Sequence, residues 1–228
     1  MQTPSADPAG SRIFDGLTAA QRKAWIDVAR SREFARGAVA ARQGEPATDL
    51  CLVASGFLKI VQGTADGHEL IVRFVGPCEP FGGVVALDGA TYPVTAVAVE
   101  PTRLLSWNRE ALKSLLDRTP QVRANIMREM TTHMTDALTR VQELSTARVG
   151  QRLAQALLRL TRQCGQPGDE GAVVLRHFLT RQELADLTGT TIYTVSRTLS
   201  QWATDGILGS EGRRVVVLDC ARLETLAR

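Results

Sequence analysis

The residues best placed to do chemistry lie in one short stretch, residues 191–200 (TIYTVSRTLS). On a helix, Ile192, Tyr193, Ser196, Arg197 and Ser200 share one face, while Val195, Leu199 and Trp202 fall on another at spacings of four and three. The second face is apolar and has to be buried. The first carries an arginine, two hydroxyls and two bulky groups near a helix N-terminus. A guanidinium there can donate two hydrogen bonds to guanine O6 and N7, and an apolar or aromatic group can meet a thymine methyl. Packing alone gives no reason for Ile192 and Tyr193 to face outward, so the pattern predicts a helix that reads the major groove of duplex DNA.

Such a helix needs a frame. Thr180 and Glu183 form the T-x-x-E spacing of a capping box, and Leu184, Ala185 and Leu187 supply the buried side of the helix it starts. Gly189 stands where the chain must turn, and Thr190 or Thr191 can cap the next helix. Thr180, Arg181, Gln182 and Thr191, at the two helix starts, complete the expected contact set. Downstream, GILGSEGRRVVVLD reads as a hairpin turning near residues 210–212, from which Arg213 and Arg214 could reach phosphates. Helix, turn, helix and hairpin together form a winged helix-turn-helix.

Upstream, residues 147–164 read as a helix ended by Gly165, Pro167 and Gly168, followed by a short strand in AVVLRHFL. Pro120 opens a long helix whose apolar stripe runs Val122, Ile126, Met130, Met134, Val141 and Leu144. That spacing suits a helix on a core or a coiled-coil seam. Nothing comparable in the chain is there to pack on it, so self-association is the favoured reading, with Val122, Ile126, Met130, Met134 and Val141 at the interface. Between residues 34 and 105, short apolar or alternating runs (AVAAR, LCLVAS, FLKIVQ, ELIVRFV, VTAVAV, RLLSW) recur between turn signals, as in an antiparallel barrel or sandwich. IVQGTADGHELIVRF has the form of a hairpin with Gly63, Asp66 and Gly67 in its loop. Residues 14–29 read as a short helix capped by Thr18, residues 108–116 as another, and residues 1–12 as disordered. The domains follow: a sensor of residues 1–118, a dimerisation helix of 119–146 and a DNA-binding domain of 147–228.

Composition narrows the function classes. Apolar residues make up 44% and charged residues 22%, as in a globular protein. No apolar run spans a membrane, and the N-terminal MQTPSADPAGSR lacks a signal peptide's basic start and apolar core, so a cytoplasmic protein is expected. From residue 145 onward there are 11 Arg and Lys against 8 Asp and Glu, while the first 144 residues carry 16 of each. A basic excess confined to the C-terminal part is compatible with nucleic-acid binding. Cys51, Cys78, Cys164 and Cys220 are scattered, without metal-ligand spacing, and are expected to be reduced and structural. The sequence offers no nucleophile–base pair, phosphate loop or metal motif, so an enzyme is not expected.

These residues resemble the Crp/Fnr family of transcription regulators. The strongest match is LTRQELADLTGTTIYTVSRTLSQWATDGIL with the wing that follows; Phe34, Gly37, Gly44-Glu45, Ser55-Gly56 and Phe81-Gly82-Gly83 carry it into the N-terminal half. The resemblance implies an α+β chain: an N-terminal antiparallel β-roll, jelly-roll-like and of the cyclic-nucleotide-binding fold, a long dimerisation helix, and a C-terminal winged helix-turn-helix. It implies a homodimer on a palindromic operator, controlled by a signal sensed in the roll, with double-stranded DNA, a second copy and RNA polymerase as partners and no membrane. The effector pocket it implies is Phe81, Gly82, Gly83, Val84, Tyr92, Val94, Ala137 and Leu138. Here the chain departs from the cyclic-nucleotide-binding members. Gly83 stands where the ribose glutamate would be, Tyr92-Pro93-Val94 where the phosphate arginine and serine would be, and Ala137-Leu138 where a Thr-Ser pair meets the base. A buried cyclic phosphate would lack its counter-charge, so cyclic AMP is not expected. No cysteine precedes Cys51, which argues against the iron–sulfur branch. Gly82-Gly83-Val84 replaces the histidine of the carbon-monoxide-sensing branch, leaving His68, His133 and His177 as conceivable haem ligands. Tyr193 replaces the usual glutamate of the reading helix, as in branches that respond to nitrogen oxides. The leading reading is therefore a DNA-binding regulator with a haem, nitric-oxide or other small-molecule input. The alternatives are an effector-independent regulator with a filled roll and a cyclic-nucleotide-dependent activator.

Overall fold

A computed structural model of the chain describes residues 7–63, 69–82, 86, 88–175, 179–212 and 214–228. The chain divides into two compact units between residues 136 and 137.

In the first unit, two four-stranded antiparallel sheets form the roll. One has the order β1 (Arg30–Phe34), β8 (Thr102–Asn108), β3 (Asp49–Ser55), β6 (Pro80–Phe81); the other runs β2 (Val39–Ala41), β7 (Thr95–Ala98), β4 (Leu58–Gly63), β5 (Glu69–Val75). The expected hairpin is β4–β5, in register from Leu58 opposite Val75 to Gly63 opposite Glu69, with a bulge at Ile60/Val61; Asp66 and Gly67 of its loop lie outside the described residues. β1 was not foreseen. Its sequence RSREF has no apolar alternation because it is an edge strand whose side chains are nearly all exposed, held by backbone pairing to β8.

Helix α1 (Ala19–Val28) starts at a complete Thr18–Gln21 capping box, and α2 (Arg109–Arg118) at Asn108, whose side chain accepts from the Ala111 N–H. Residues 8–12, expected to be disordered, are ordered: two 3-10 turns, Pro8–Gly10 and Arg12–Phe14, bring Ile13 and Phe14 into the core. There Phe14, Trp25 and Trp107 meet with ring centroids 5.6–6.3 Å apart. Both indole N–H groups are satisfied: Trp25 donates to Thr119 Oγ1 (2.9 Å), and Trp107 to the Trp25 carbonyl (2.8 Å).

Helix α3 (Pro120–Thr146) runs through the division between the units. Its apolar stripe has two fates, and the first corrects the expected seam. Val122 and Ile126 are buried within this chain, in the cluster of Phe14, Trp25, Leu112 and Leu116. The physical reason is the ordered N-terminal turn, which gives this end of the helix something to pack on. Asn125 between them donates Nδ2 to the carbonyls of Ile13 (3.0 Å) and Asp15 (2.8 Å). Met130, Met134, Val141 and Leu144, with Leu138, remain exposed.

The second unit holds α4 (Val149–Cys164), β9 (Gly165–Pro167), β10 (Val173–Leu175), α5 (Arg181–Thr188), α6 (Ile192–Thr204), β11 (Leu208–Glu211), β12 (Arg214–Val217) and α7 (Cys220–Leu226). Its sheet has the order β11-β12-β10-β9. The wing is β11–β12, with Glu211 opposite Arg214 and a turn at Gly212, within the expected 210–212. Helix α7 was also unforeseen; Asp219 caps it and α4 packs beside it.

Candidate nucleic-acid interface

Helix α5 begins at Thr180, whose hydroxyl accepts from the Glu183 N–H (3.0 Å) while the Glu183 carboxylate accepts from the Thr180 N–H (2.9 Å). It ends at Gly189, left-handed at φ 61°, a backbone state in which a side chain costs free energy. Helix α6 then starts at Thr191, whose hydroxyl accepts from the Thr194 N–H. Val195, Leu199 and Trp202 are buried and fix the rotation of α6 about its own axis. Each contributes roughly 1.5–3 kcal/mol of apolar burial, which makes that rotation a strong choice.

The opposite face is open. Tyr193 is 84% exposed and Ile192 38% exposed, and Arg197 and Ser200 are also exposed, with Ser196 half-buried. Arg181 and Gln182 are exposed on the first turn of α5, where Gln182 donates to Asp186 (2.7 Å). Thr180, Arg181, Gln182, Thr191, Ile192, Tyr193, Ser196, Arg197 and Ser200 thus lie at or near the starts of two consecutive helices of one unit. Arg213 lies outside the described residues; Arg214 is half-buried in the wing. At the far end of α6, Arg222 of α7 donates to the Asp205 carbonyl (2.8 Å), a cap that sequence reasoning missed together with α7 itself.

The sensor candidates fall differently. Phe81, Gly82, Tyr92 and Val94 come together in the roll: Tyr92 is 9% exposed in a cluster with Cys51, Val53, Leu58 and Ala96, against which Phe81 and Val94 also pack. A Cβ on Gly82 would stand 2.9 Å from the Asp49 carbonyl and 3.3 Å from the Tyr92 ring. Burial, with Cys51 and Asp49 nearby, pushes the Tyr92 phenol above its usual range, and burial pushes the Cys51 thiol up to about 12. Gly83 and Val84 lie outside the described residues. Ala137 and Leu138 belong to the second unit, exposed on α3. The cysteines are thiols rather than disulfides, Cys51 and Cys164 buried, Cys78 and Cys220 half-buried.

Of the histidines, His68 and His177 lie outside the described residues. His133 of α3 faces Arg73 of β5, Nε2 to Nη1 3.0 Å, and Arg73 also sits 3.7 Å from Glu79. Burial and the guanidinium lower the His133 pKa to about 4, against a smaller upward pull from Asp136. Among the described residues no cluster of three or more metal-ligating side chains forms, and no helix is long and apolar enough to cross a membrane.

An antiparallel roll followed by a helix-turn-helix with a hairpin wing defines a class of DNA-binding regulator. Residues 31–119 match the cyclic nucleotide-binding domain family, and residues 151–226 the Crp-like helix-turn-helix domain family. The chain is 33% identical over 218 residues to the cyclic AMP receptor protein of Thermus thermophilus, covering 96% of this chain and 97% of that one. It is 32% identical over 200 residues to the transcriptional activator protein anr of Pseudomonas aeruginosa, covering 88% and 81%. Among solved structures, FixK2 from Bradyrhizobium japonicum superposes with a TM-score of 0.77 at 26% identity, covering 88% of this chain and 98% of that one. The chain belongs to the Crp/Fnr family of transcription regulators. It is a DNA-binding regulator whose N-terminal domain is of the cyclic nucleotide-binding type, and its relatives are regulators rather than enzymes.

Proposed function

We propose that this protein binds a palindromic operator as a homodimer, with α6 of each copy in the major groove, and that the contact residues are those named above together with Arg213 on phosphate. The observation that carries this reading is the outward face of Ile192, Tyr193, Arg197 and Ser200 on a helix whose rotation is fixed by Val195, Leu199 and Trp202. The exposed stripe Met130, Met134, Val141 and Leu144 supports the second copy: five apolar side chains counting Leu138, at seam spacing, are a costly surface for a lone helix. Val122 and Ile126 stabilise the roll instead. The regulator works in the cytoplasm with RNA polymerase as its downstream partner.

The roll is the input domain, and cyclic AMP is not its signal, although relatives are named as a cyclic AMP-activated regulator and as a cyclic AMP receptor protein. Tyr92-Pro93-Val94 supplies no guanidinium in the segment where cyclic-nucleotide-binding members hold the phosphate. His133 is poorly set to hold a haem iron, because its Nε2 already faces the Arg73 guanidinium. His68 or His177 would have to serve instead. A second reading, an effector-independent regulator, is favoured by one observation. Tyr92 is seated against Gly82 among Cys51, Val53 and Ala96, filling the roll with the chain's own side chains.

Selection from random DNA, with light scattering of the purified protein, tests the proposal. The expected result is a dimer that enriches inverted half-sites about one helical turn apart. A monomer, or enrichment of a single unrepeated site, would contradict it.

A further inference from the structure

The turn between α5 and α6 sets the angle at which α6 is presented, and it is held from outside by two arginines. The last carbonyls of a helix have no partner within it and carry its negative dipole end. Here Arg140, on the part of α3 that belongs to the second unit, donates Nη2 to the Leu187 carbonyl at 2.8 Å. Arg152 of α4 donates Nε to the Thr188 carbonyl (2.9 Å) and Nη2 to the Gly189 carbonyl (3.3 Å), while its Nη1 ties back to Ala147 (2.9 Å). Three successive carbonyls of the turn thus each receive a guanidinium N–H. The turn also lies close against α3: a Cβ on Gly189 would come 3.0 Å from Leu144 Cδ2. Beside this contact Glu143 of α3 and Arg159 of α4 pair at 2.7 Å, fixing the two supporting helices to each other.

We propose that Arg140 and Arg152 are positioning residues for DNA reading: they hold the α5–α6 turn on α3 and α4, so that α6 meets the groove at one angle, and neither touches DNA. Burial lowers the Arg140 pKa, as expected of a charge that faces carbonyls rather than solvent or phosphate. At Arg152 the planar fork reaches the Thr188 and Gly189 carbonyls at once, which the single ammonium of lysine does not match. Base readout depends on small displacements, since a bidentate arginine–guanine pair forms only in one orientation. Backbone phosphate attraction tolerates them. The positioning role therefore separates specific from non-specific affinity. The inference rests on α6 being the reading helix.

The test compares wild type, Arg140→Met and Arg140→Lys on the selected operator and on random duplex, across a salt series, well below the unfolding temperature. Arg140→Met is expected to lose about tenfold in operator affinity, near the worth of one charge-assisted hydrogen bond. Affinity for random DNA and the salt slope should hold, and Arg140→Lys should recover part of the loss. An unchanged operator affinity, an equal loss on both DNAs, or a salt slope lower by about one, the mark of a phosphate contact, overturns it. Circular dichroism checks folding; if Arg140→Met is unfolded, Arg140→Lys is judged alone, with a loss confined to the operator as the supporting result and equal loss or none as the overturning one. Wild type failing to select any operator would strike the DNA-reading proposal instead, so the two failures are distinguishable.

Discussion

The chain has two tyrosines, and the two halves of the molecule put them to opposite uses. Tyr193 stands 84% exposed on α6; Tyr92 is 9% exposed in the roll. The resemblance sets Tyr193 where many members carry a glutamate, and Tyr92 in the segment where cyclic-nucleotide-binding members carry an arginine. On the open face that change alters what can be recognised, because nothing else competes for the space. In the closed interior it fills the space itself. On the proposed reading an aromatic ring bears on specificity in one unit and on occupancy in the other, and each consequence can be broken separately.

The largest effect is expected from the surface proposed to join two copies. Met134→Glu with Val141→Glu should place buried charge at the seam, convert dimers to monomers in light scattering and lower operator affinity by roughly a hundredfold or more. Ile126→Glu, by contrast, should unfold the first unit, since Ile126 is 5% exposed in the roll's own core. Tyr92→Ala follows: emptying its place against Gly82 should destabilise the protein by about 3 kcal/mol, the usual scale for removing a buried ring, read as a lower urea midpoint. Operator affinity at low temperature should be little changed. Arg197→Ala should cost about 1–3 kcal/mol per half-site and relax preference at one base pair, measured by competition with mutated operators.

The smallest effects concern the roll. Cyclic AMP or cyclic GMP should give no saturable heat in titration calorimetry, and a dissociation constant below millimolar would show that the Tyr92 interior opens. His133 is held neutral by burial and by Arg73, with its pKa lowered to about 4 from an ordinary 6.5. Unfolding at acid pH then takes up a proton, so stability should fall as pH drops from about 6.5 toward 4 and be flat above that window. His133→Gln should remove this component of the acid slope in pH-dependent urea melts; an unaltered slope would mean that His133 is solvated.

What was legible in the sequence divides along the same line. The helix-turn-helix could be read because its signals are local: a capping box at Thr180, a left-handed Gly189 and a period of three and four on α6. The central strands could be read from short apolar or alternating runs between turn signals, but β1 could not, because RSREF buries almost nothing. The seam was read too far toward Pro120. Whether Val122 and Ile126 face a partner or a core depends on residues 12–14, more than a hundred positions away, and no periodicity within α3 carries that information. Arg140 and Arg152 were missed for the same reason: arginines on helices give no sign that their partners are carbonyls some 36–47 residues downstream.

The central claim is that the outward face of α6 reads bases, and exchanging its most exposed side chain tests it most directly. Selection from random DNA should be run in parallel with wild type and with Tyr193→Glu. A glutamate can accept from cytosine N4, whereas the tyrosine ring suits a thymine methyl. The account predicts that the two proteins enrich half-sites differing at one symmetric base pair and agreeing at the pair read by Arg197. Enrichment of the same half-site by both would contradict it, because the reading face would then lie elsewhere.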